Sequence, residues 1–441
     1  MSLTALVFIA GFFGCIVLAF ARHPIYGLYG YLLTFYLGPD TAWWGQAIPN
    51  VRWSLLSAAT TFVAALVHAG TSGRPAWYRH SSGRILMLFV VWLWIQAGWA
   101  LSIEDHVFLA TLFTKYVLMF ILIYSVLDTP ERIHNFVLVN IVGCFYWGYL
   151  AWQAVGGGRI ESIGTGDVAG SAFASMHIST VVALAGFMFL GFSGWKKWLP
   201  FAAIPFILNA IVRMQTRGAF VGLLGAVPMA LLLAPKRKRI VVVLYMLLGS
   251  LLFLRVADQA FWERMATIEP AENQQMEASA ASRLVIAEAN LHMFRDHPMG
   301  VGHRGNDLLS PKYMPETLLT DKGGAQLRSA HNTVMAILVD HGIVGIVLIL
   351  LFHVRIAGSI LRLRKKGLQL PIESQALVGG LATGLVIYWV NGQFANMTKA
   401  EVVIWIAALA ASLEALYSLP EKQPVTGVAP WAPTALQTKA Q

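Results

Sequence analysis

The chain alternates long apolar runs with short polar breaks, and the spacing is that of membrane-crossing helices. Apolar stretches cover residues 3–21, 24–38, 52–70, 84–102, 107–127, 133–155, 170–193, 198–213, 217–234, 239–256, 333–354, 375–392 and 401–418. A span needs about 20 mainly apolar residues. The second and eighth runs are short, so the pattern predicts 12 or 13 crossings and an all-α polytopic membrane protein. It divides the chain into an amino-terminal transmembrane bundle (1–256), a large polar loop (257–332), carboxyl-terminal transmembrane helices (333–418) and a tail (419–441). The tail is rich in Pro, Thr and Gln and is expected to be cytoplasmic and disordered.

Composition agrees with the pattern. Hydrophobic residues make up 57% of the 441 positions and charged ones 12%, against about 25% charged in an ordinary soluble domain. The net charge of +10 does not point to nucleic acid. The basic residues gather in short breaks, "RPAWYRHSSGR" (74–84), "WKK" (195–197), "KRKR" (236–239) and "RIAGSILRLRKK" (355–366), and a basic bias of that kind marks cytoplasmic loops. Alternation then puts 39–50, 102–106, 156–170, Arg213 to Arg217 and 257–332 on the outer side. No basic residue precedes the first run, which argues against a cleaved signal peptide. Cys15 and Cys144 both fall inside spans, so neither a disulfide nor a thiolate metal site is expected.

The outer loop is too long and too patterned to be a bland connection. "SRLVIAEANLHMFRDHP" sets Leu284, Ala287, Leu291 and Phe294 on one helical face, and Pro298 is placed to stop that helix. "GVGHRGN" makes a Gly-rich turn, and "KGGAQLRSAHN" leads back to the membrane. The expected arrangement is a helix lying over the bundle with a loop folded onto it.

Candidate chemistry gathers on the outer side. His331 and Asn332 open the helix that re-enters the membrane. A neutral imidazole at a water–lipid boundary can take a proton near neutral pH; the plainer reading is a residue that merely caps the loop. Arg217, in "MQTRGAF", opens a span one turn after Arg213. Its planar guanidinium suits a phosphate held by two hydrogen bonds, although an arginine can also snorkel to lipid headgroups. Within the mixed charges of the loop, Arg283 at the start of the loop helix, and His303 and Arg304 in the Gly-rich turn, are the better candidates. Arg159 can join the same anion site, or snorkel. Asp340 and His341 lie about 13–15 Å into their helix at 1.5 Å per residue. Ionisable groups at that depth are either functional or mutually satisfied, and a neutral hydrogen-bonded pair beside Gly342 and Gly345 is the preferred reading, with a proton relay as the other. The sequence has no Walker A loop, no HExxH and no Asp-x-Asp. Any phosphate handled here is therefore expected to be held by arginines, with no metal and no cofactor.

Taken together, "TRGA" at the outer start of a span, "HPMGVGHRGN" in the large outer loop and "HNTVMAILVDHGIVGIV" after it resemble the Wzy/WaaL superfamily of bacterial polysaccharide ligases and polymerases. Within it, the length and the single large late loop are most similar to the O-antigen ligases. The motif-bearing region runs from Thr216 to Gly345. The resemblance implies a GT-C-type glycosyltransferase of the bacterial inner membrane with its site on the periplasmic side. It implies a glycan donor on undecaprenyl diphosphate and, for a ligase, a lipid A-core acceptor. It matches Arg217 and, less closely, Arg283 to the family's arginines, and His331 to its His-Asn histidine. Asp340 stands where relatives often carry Glu. On this reading Arg217 and Arg283, helped by Arg159 or Arg304, stabilise the departing diphosphate. His331 is the general base, and displacement proceeds with inversion. The related alternatives are an O-antigen polymerase and a protein O-oligosaccharyltransferase. A lipid-linked glycan flippase or proton-coupled transporter is the alternative of another class, and it requires Asp340 or His341 to be indispensable and His331 dispensable.

Overall fold

The computed structural model describes residues 2–68, 74–154, 159–164, 170–234, 238–257, 259–266, 273–321, 324–325 and 327–418. The helices are α1 (Leu3–Ala21), α2 (Ile25–Leu37), α3 (Trp53–Val67), α4 (Ser81–Gln96), α5 (Ile103–Val126), α6 (Pro130–Gln153), α7 (Ser171–Gly191), α8 (Trp198–Met214), α9 (Arg217–Leu233) and α10 (Arg239–Val256). The loop carries α11 (Gln259–Ala266), α12 (Asn273–Asp296), α13 (Gly305–Tyr313) and α14 (Glu316–Leu319), followed by a two-stranded antiparallel ribbon of β1 (Thr320–Asp321) and β2 (Gly324–Ala325). The chain closes with α15 (Thr333–Lys366), α16 (Ile372–Asn391) and α17 (Val402–Ser418). Among the described residues, seven helical stretches are long and apolar enough to cross a membrane, and α2, α3, α4, α9 and α17 are shorter apolar helices. The chain is a polytopic helical membrane protein.

Local chemistry starts the helices where the polar breaks predict. Ser102 accepts the Asp105 N–H at the head of α5, and Thr129 accepts that of Arg132 with Pro130 following it in the first turn of α6. At the head of α15 the Asn332 side chain accepts the N–H groups of both Val334 and Met335. These caps satisfy donors that have no partner inside the helix. In the bundle α16 packs on α7 and α9, α6 on α8, α15 on α4 and α17 on α5. Small residues set the close approach of α16 to α7: a Cβ on Gly380 would stand 3.1 Å from the Leu184 Cα. Such positions drive helix association where no hydrophobic effect operates between helices.

The two sets of polar breaks meet at opposite ends. Glu414 joins His80 and Arg362, and the Arg74 guanidinium donates to the carbonyls of Tyr124, Leu127 and Ser412. The stretch 355–366, expected as a loop, is the helical continuation of α15; its long basic side chains reach back to neighbouring helix ends. At the other end Arg304 pairs with Asp105, and Arg159 binds the turn between α8 and α9.

The loop has its own small core, built from Ile286, Ala289, Met293, Val301, Met314 and Leu319 against Val339 of α15. This corrects the expected face of α12. Leu284 is 72% exposed and Leu291 41% exposed, whereas Ile286, Ala289, Asn290 and Met293 are buried. Two apolar stripes are available on that helix. The buried one contains Asn290, whose amide bonds to Asn306 of α13, so a polar contact selects the face that hydrophobicity alone left undecided.

Candidate functional site

α15 is broken nine residues into its course. Gly342 has φ 66° and ψ −166°, a conformation that only glycine adopts without strain. The Gly-rich turn after α12 fills the break. Gly300, at φ 75°, lies so close that a Cβ on it would stand 2.5 Å from the Gly342 nitrogen and 2.6 Å from the Asp340 carbonyl oxygen. Backbone pairing follows: Gly302 N–H donates to the Asp340 carbonyl at 2.8 Å, Val301 N–H to that of Val339 at 3.3 Å, and Ile343 N–H to that of Pro298 at 2.9 Å. A break of this kind persists in a membrane protein where the freed backbone groups find partners within the protein.

Asp340 and His341 sit at the break, and they bond to different partners rather than to each other. One Asp340 oxygen accepts the Asn306 N–H at 2.8 Å and the other the Arg304 N–H at 3.2 Å. The carboxylate thus caps the amino terminus of α13 from a distant helix, where the helix dipole favours negative charge. His341 Nδ1 lies 2.9 Å from Gln96 Oε1, while Gln96 Nε2 donates to the carbonyls of Asp340 and Met299.

From there a chain of contacts runs to His331. The Asn306 side-chain oxygen accepts the N–H of Ala330 at 2.8 Å, one residue before His331. His331 itself takes φ 46°, uncommon for a non-glycine residue and a mark of a backbone held by its surroundings. Its side chain is exposed. On its other side Thr333 N–H donates to the Gly392 carbonyl at 2.7 Å, Thr333 Oγ1 donates to the Ala395 carbonyl and accepts the Met397 N–H, each at 2.9 Å, and Asn332 Nδ2 donates to Gln393 Oε1 at 3.1 Å. The turn after α16 therefore clamps the head of α15.

The same turn touches the α8–α9 corner. A Cβ on Gly218 would stand 2.5 Å from Asn391 Oδ1 and 3.5 Å from the Phe394 Cβ, so the backbone beside Arg217 abuts the turn that holds His331. Arg159 lies on the far side of the corner, where its Nε donates to the Met214 carbonyl at 3.1 Å and its guanidinium bonds to Ser171 at 2.7 Å. Arg217 is exposed at the first position of α9. Thr216, the residue before it, makes no capping bond to that helix and its buried hydroxyl has no hydrogen-bond partner. Thr216 thus supplies no side-chain cap to α9, and a helix amino terminus favours an anion. Below it, α7, α8, α9, α10 and α16 enclose an apolar cleft of about 360 Å³, lined by Phe220, Leu224, Val227, Tyr245, Phe253 and Trp262 among others.

The structure therefore brings Arg159, Arg217, His331 and Asn332 to elements that touch one another. Arg283 lies on α12, and its side chain falls outside the described residues. His303 and Arg304, expected as substrate contacts, sit in the Gly-rich turn beside Asp340 and Asp105. His303 is 6% exposed, its ring turned to Asp340. The Arg304 guanidinium is paired with Asp105 at 3.1 Å. The turn from Asn391 to Met397 escaped sequence reasoning, although its run of polar residues directly after an apolar span was the available signal.

No curated protein matches the chain. Residues 202–350, about a third of its length, match the family model described as Wzy_C, O-antigen ligase. That segment runs from α8 into the first half of α15 and carries Arg217, the Gly-rich turn and His331; the family it resembles is one of glycosyltransferases acting on lipid-linked glycans, and the chain is an enzyme of the glycosyltransferase class.

Proposed function

We propose that the protein is an O-antigen ligase, moving a glycan from undecaprenyl diphosphate to the lipid A-core oligosaccharide at the periplasmic face of the bacterial inner membrane. One observation carries this reading. Arg217 and the head of α9 stand above an apolar cleft, and the backbone beside Arg217 abuts the turn that clamps the head of α15 behind His331. A polyprenyl diphosphate needs that combination, an apolar channel for its chain beneath donors for its charge.

The leaving diphosphate gains charge as the glycosidic bond breaks. Arg217 and the α9 amino terminus supply donors to it, which lowers the barrier; Arg159 lies beside them, paired with Glu161 at 3.3 Å. Arg283 is assigned to the same charge on the strength of the sequence motif. The arginine donors make a metal unnecessary for this step. The acceptor hydroxyl is a weak nucleophile, and His331, exposed on a backbone held from both sides, takes its proton. A general base contributes about 10²–10⁴-fold. Attack from the face opposite the diphosphate inverts the anomeric centre. The transporter alternative loses ground because Asp340 and His341 are engaged in bonds that hold the break in α15 together.

The test is a reconstituted transfer assay without added divalent cation, containing undecaprenyl-diphosphate glycan and lipid A-core. Product on the lipid A-core that falls by about 10²-fold or more in both His331→Ala and Arg217→Ala supports the ligase. Lengthening of lipid-linked chains alone identifies a polymerase, and transfer only to a protein hydroxyl identifies an oligosaccharyltransferase. Wild-type rates in His331→Ala rule out the general base.

A further inference from the structure

Behind the Gly-rich turn, His303, Asp340 and His341 converge with one ligand atom each, all within 4.8 Å of one another. Each is at least nine-tenths buried, at 6%, 3% and 1% exposure. Among the described residues, two ring nitrogens of this cluster, His303 Nδ1 and His341 Nε2, have no hydrogen-bond partner. A buried polar atom left unpaired is costly and calls for an explanation such as a bound ion or water.

The hydrogen bonds around the cluster fix what these atoms offer. Both Gln96 Nε2 donors are used on backbone carbonyls, so Gln96 Oε1 faces His341 Nδ1 as an acceptor. The network therefore assigns the His341 proton to Nδ1 and leaves a lone pair on Nε2, aimed into the cluster. A partner that fixes the tautomer in this way is what a metal-binding histidine has. His106 stands beside the group but is not available to it. Its Nδ1 accepts the His303 N–H at 3.0 Å and its Nε2 lies 2.7 Å from the Leu93 carbonyl. Asp340 contributes the negative charge. Each of its oxygens accepts one backbone N–H and keeps a second lone pair.

We infer that His303 Nδ1, Asp340 and His341 Nε2 form a buried site for a divalent transition-metal cation of the Zn²⁺ class, which staples the Gly-rich turn to the break in α15. Two imidazoles and a carboxylate are a donor set suited to that ion. Bonds of about 2.0–2.2 Å would set neighbouring ligand atoms about 3.4 Å apart. His303 Nδ1 and Asp340 Oδ2 are already 3.6 Å apart. A separation at the 4.8 Å limit closes by about 1.4 Å to reach that spacing, and the His303 ring makes no hydrogen bond through Nδ1 that would hold it back. Three protein ligands leave the fourth tetrahedral position to a water molecule, and the ion acts by holding the turn to the break; the transfer reaction proposed above involves other residues and the inference does not depend on it. A single water molecule is the competing occupant.

Full-length protein purified in detergent, loaded with Zn²⁺ and desalted, tests the site. Bound metal is measured by mass spectrometry, the Co²⁺ form by its visible absorption, and melting with and without chelator. About one equivalent of Zn²⁺ and a melting point several degrees above that of the stripped protein are expected for the wild type. His303→Ala removes no hydrogen bond through Nδ1, so it is expected to fold, to retain less than about a tenth of an equivalent, and to melt at the same temperature with and without chelator. His292→Ala, an exposed histidine on α12, is expected to retain the metal. The inference is overturned if loaded wild-type protein holds no stoichiometric metal, or if His303→Ala holds as much as the wild type.

Discussion

The side-chain oxygen of Asn306 accepts the backbone N–H of Ala330 at 2.8 Å, so the Gly-rich turn holds the segment that presents His331. The same Asn306 donates its own backbone N–H to Asp340 and bonds through its amide to Asn290. One residue thereby links the loop helix α12, the break in α15 and the approach to the candidate base.

Asn306→Ala strands the Ala330 N–H and the Asn290 side-chain oxygen in buried positions, at a cost of about 1–3 kcal/mol. The loss falls on the backbone next to His331, so transfer is expected to slow by about 10-fold or more even where the protein stays folded. Steady-state transfer and melting, measured on the same preparation, check this. Unchanged transfer beside a lowered melting point would confine Asn306 to a structural role.

Arg217→Lys keeps the charge and loses the planar fork. If the guanidinium holds a diphosphate through two donors, lysine is expected to recover only part of the activity lost in Arg217→Ala. The transfer rates of the three proteins, compared at saturating donor, give the answer. Full activity in the lysine variant would show that charge alone suffices.

Asp340→Asn replaces an acceptor oxygen with an amide that faces a backbone N–H of Arg304 or Asn306. One of those donors is then left unpaired, and a loss of about 1–3 kcal/mol is expected. The comparison belongs in chelator-treated protein, where any contribution from a bound cation has been removed. An unchanged melting point would show that the capping of α13 by this carboxylate contributes little.

Asp307 supplies the pH dependence. Burial, and then the nearby Asp340 carboxylate, push its carboxyl above the ordinary 3.8, against opposing contacts from Ser329, Arg304 and His303. A raised value means that the native state holds the proton more tightly than the unfolded chain does. The stability from this group is fully present in acid below the ordinary value and is lost as pH rises through the raised one. Melting of the wild type is therefore expected to fall, relative to Asp307→Asn, as pH rises above the ordinary carboxylate value and through the raised one. Parallel curves for the two proteins would remove Asp307 as the source.

Much of this was legible in the chain. Helical runs, the stop before Pro298 and the start of α15 after His331 and Asn332 all follow from local rules, because span length and helix boundaries are properties of short segments. Arg217 and His331 were visible for the same reason: each opens a helix at a polar–apolar boundary. What stayed hidden depends on partners far away in sequence. Arg304 reads as an open cation until Asp105 is placed beside it. Asp340 and His341 read as a pair because they are neighbours, whereas the break at Gly342 sends one to α13 and the other to Gln96. The buried face of α12 was misread because its choice rests on the contact between Asn290 and Asn306, which no periodicity records. The continuation of α15 through 355–366 was missed because basic residues that end a membrane span need not end a helix.

The break in α15 gives the sharpest expectation. A side chain on Gly342 would have to adopt φ 66° and place its Cβ 2.5 Å from both the Gly300 nitrogen and the Pro298 carbonyl oxygen. Neither neighbour can yield, since both are backbone atoms of the turn that fills the break. Gly342→Ala is therefore expected to unseat the turn, with a cost above about 4 kcal/mol, the range reserved for strain and overpacking together. Gly358 lies farther along the same helix, where a Cβ would meet only the Arg362 guanidinium end at 3.2 Å. Gly358→Ala is expected to be neutral or stabilising by up to about 1 kcal/mol, as in other helix interiors. Melting points of the two variants decide the matter, together with limited proteolysis of residues 298–306. If Gly342→Ala melts and resists cleavage as the wild type does, α15 can run unbroken and the turn does not depend on the break.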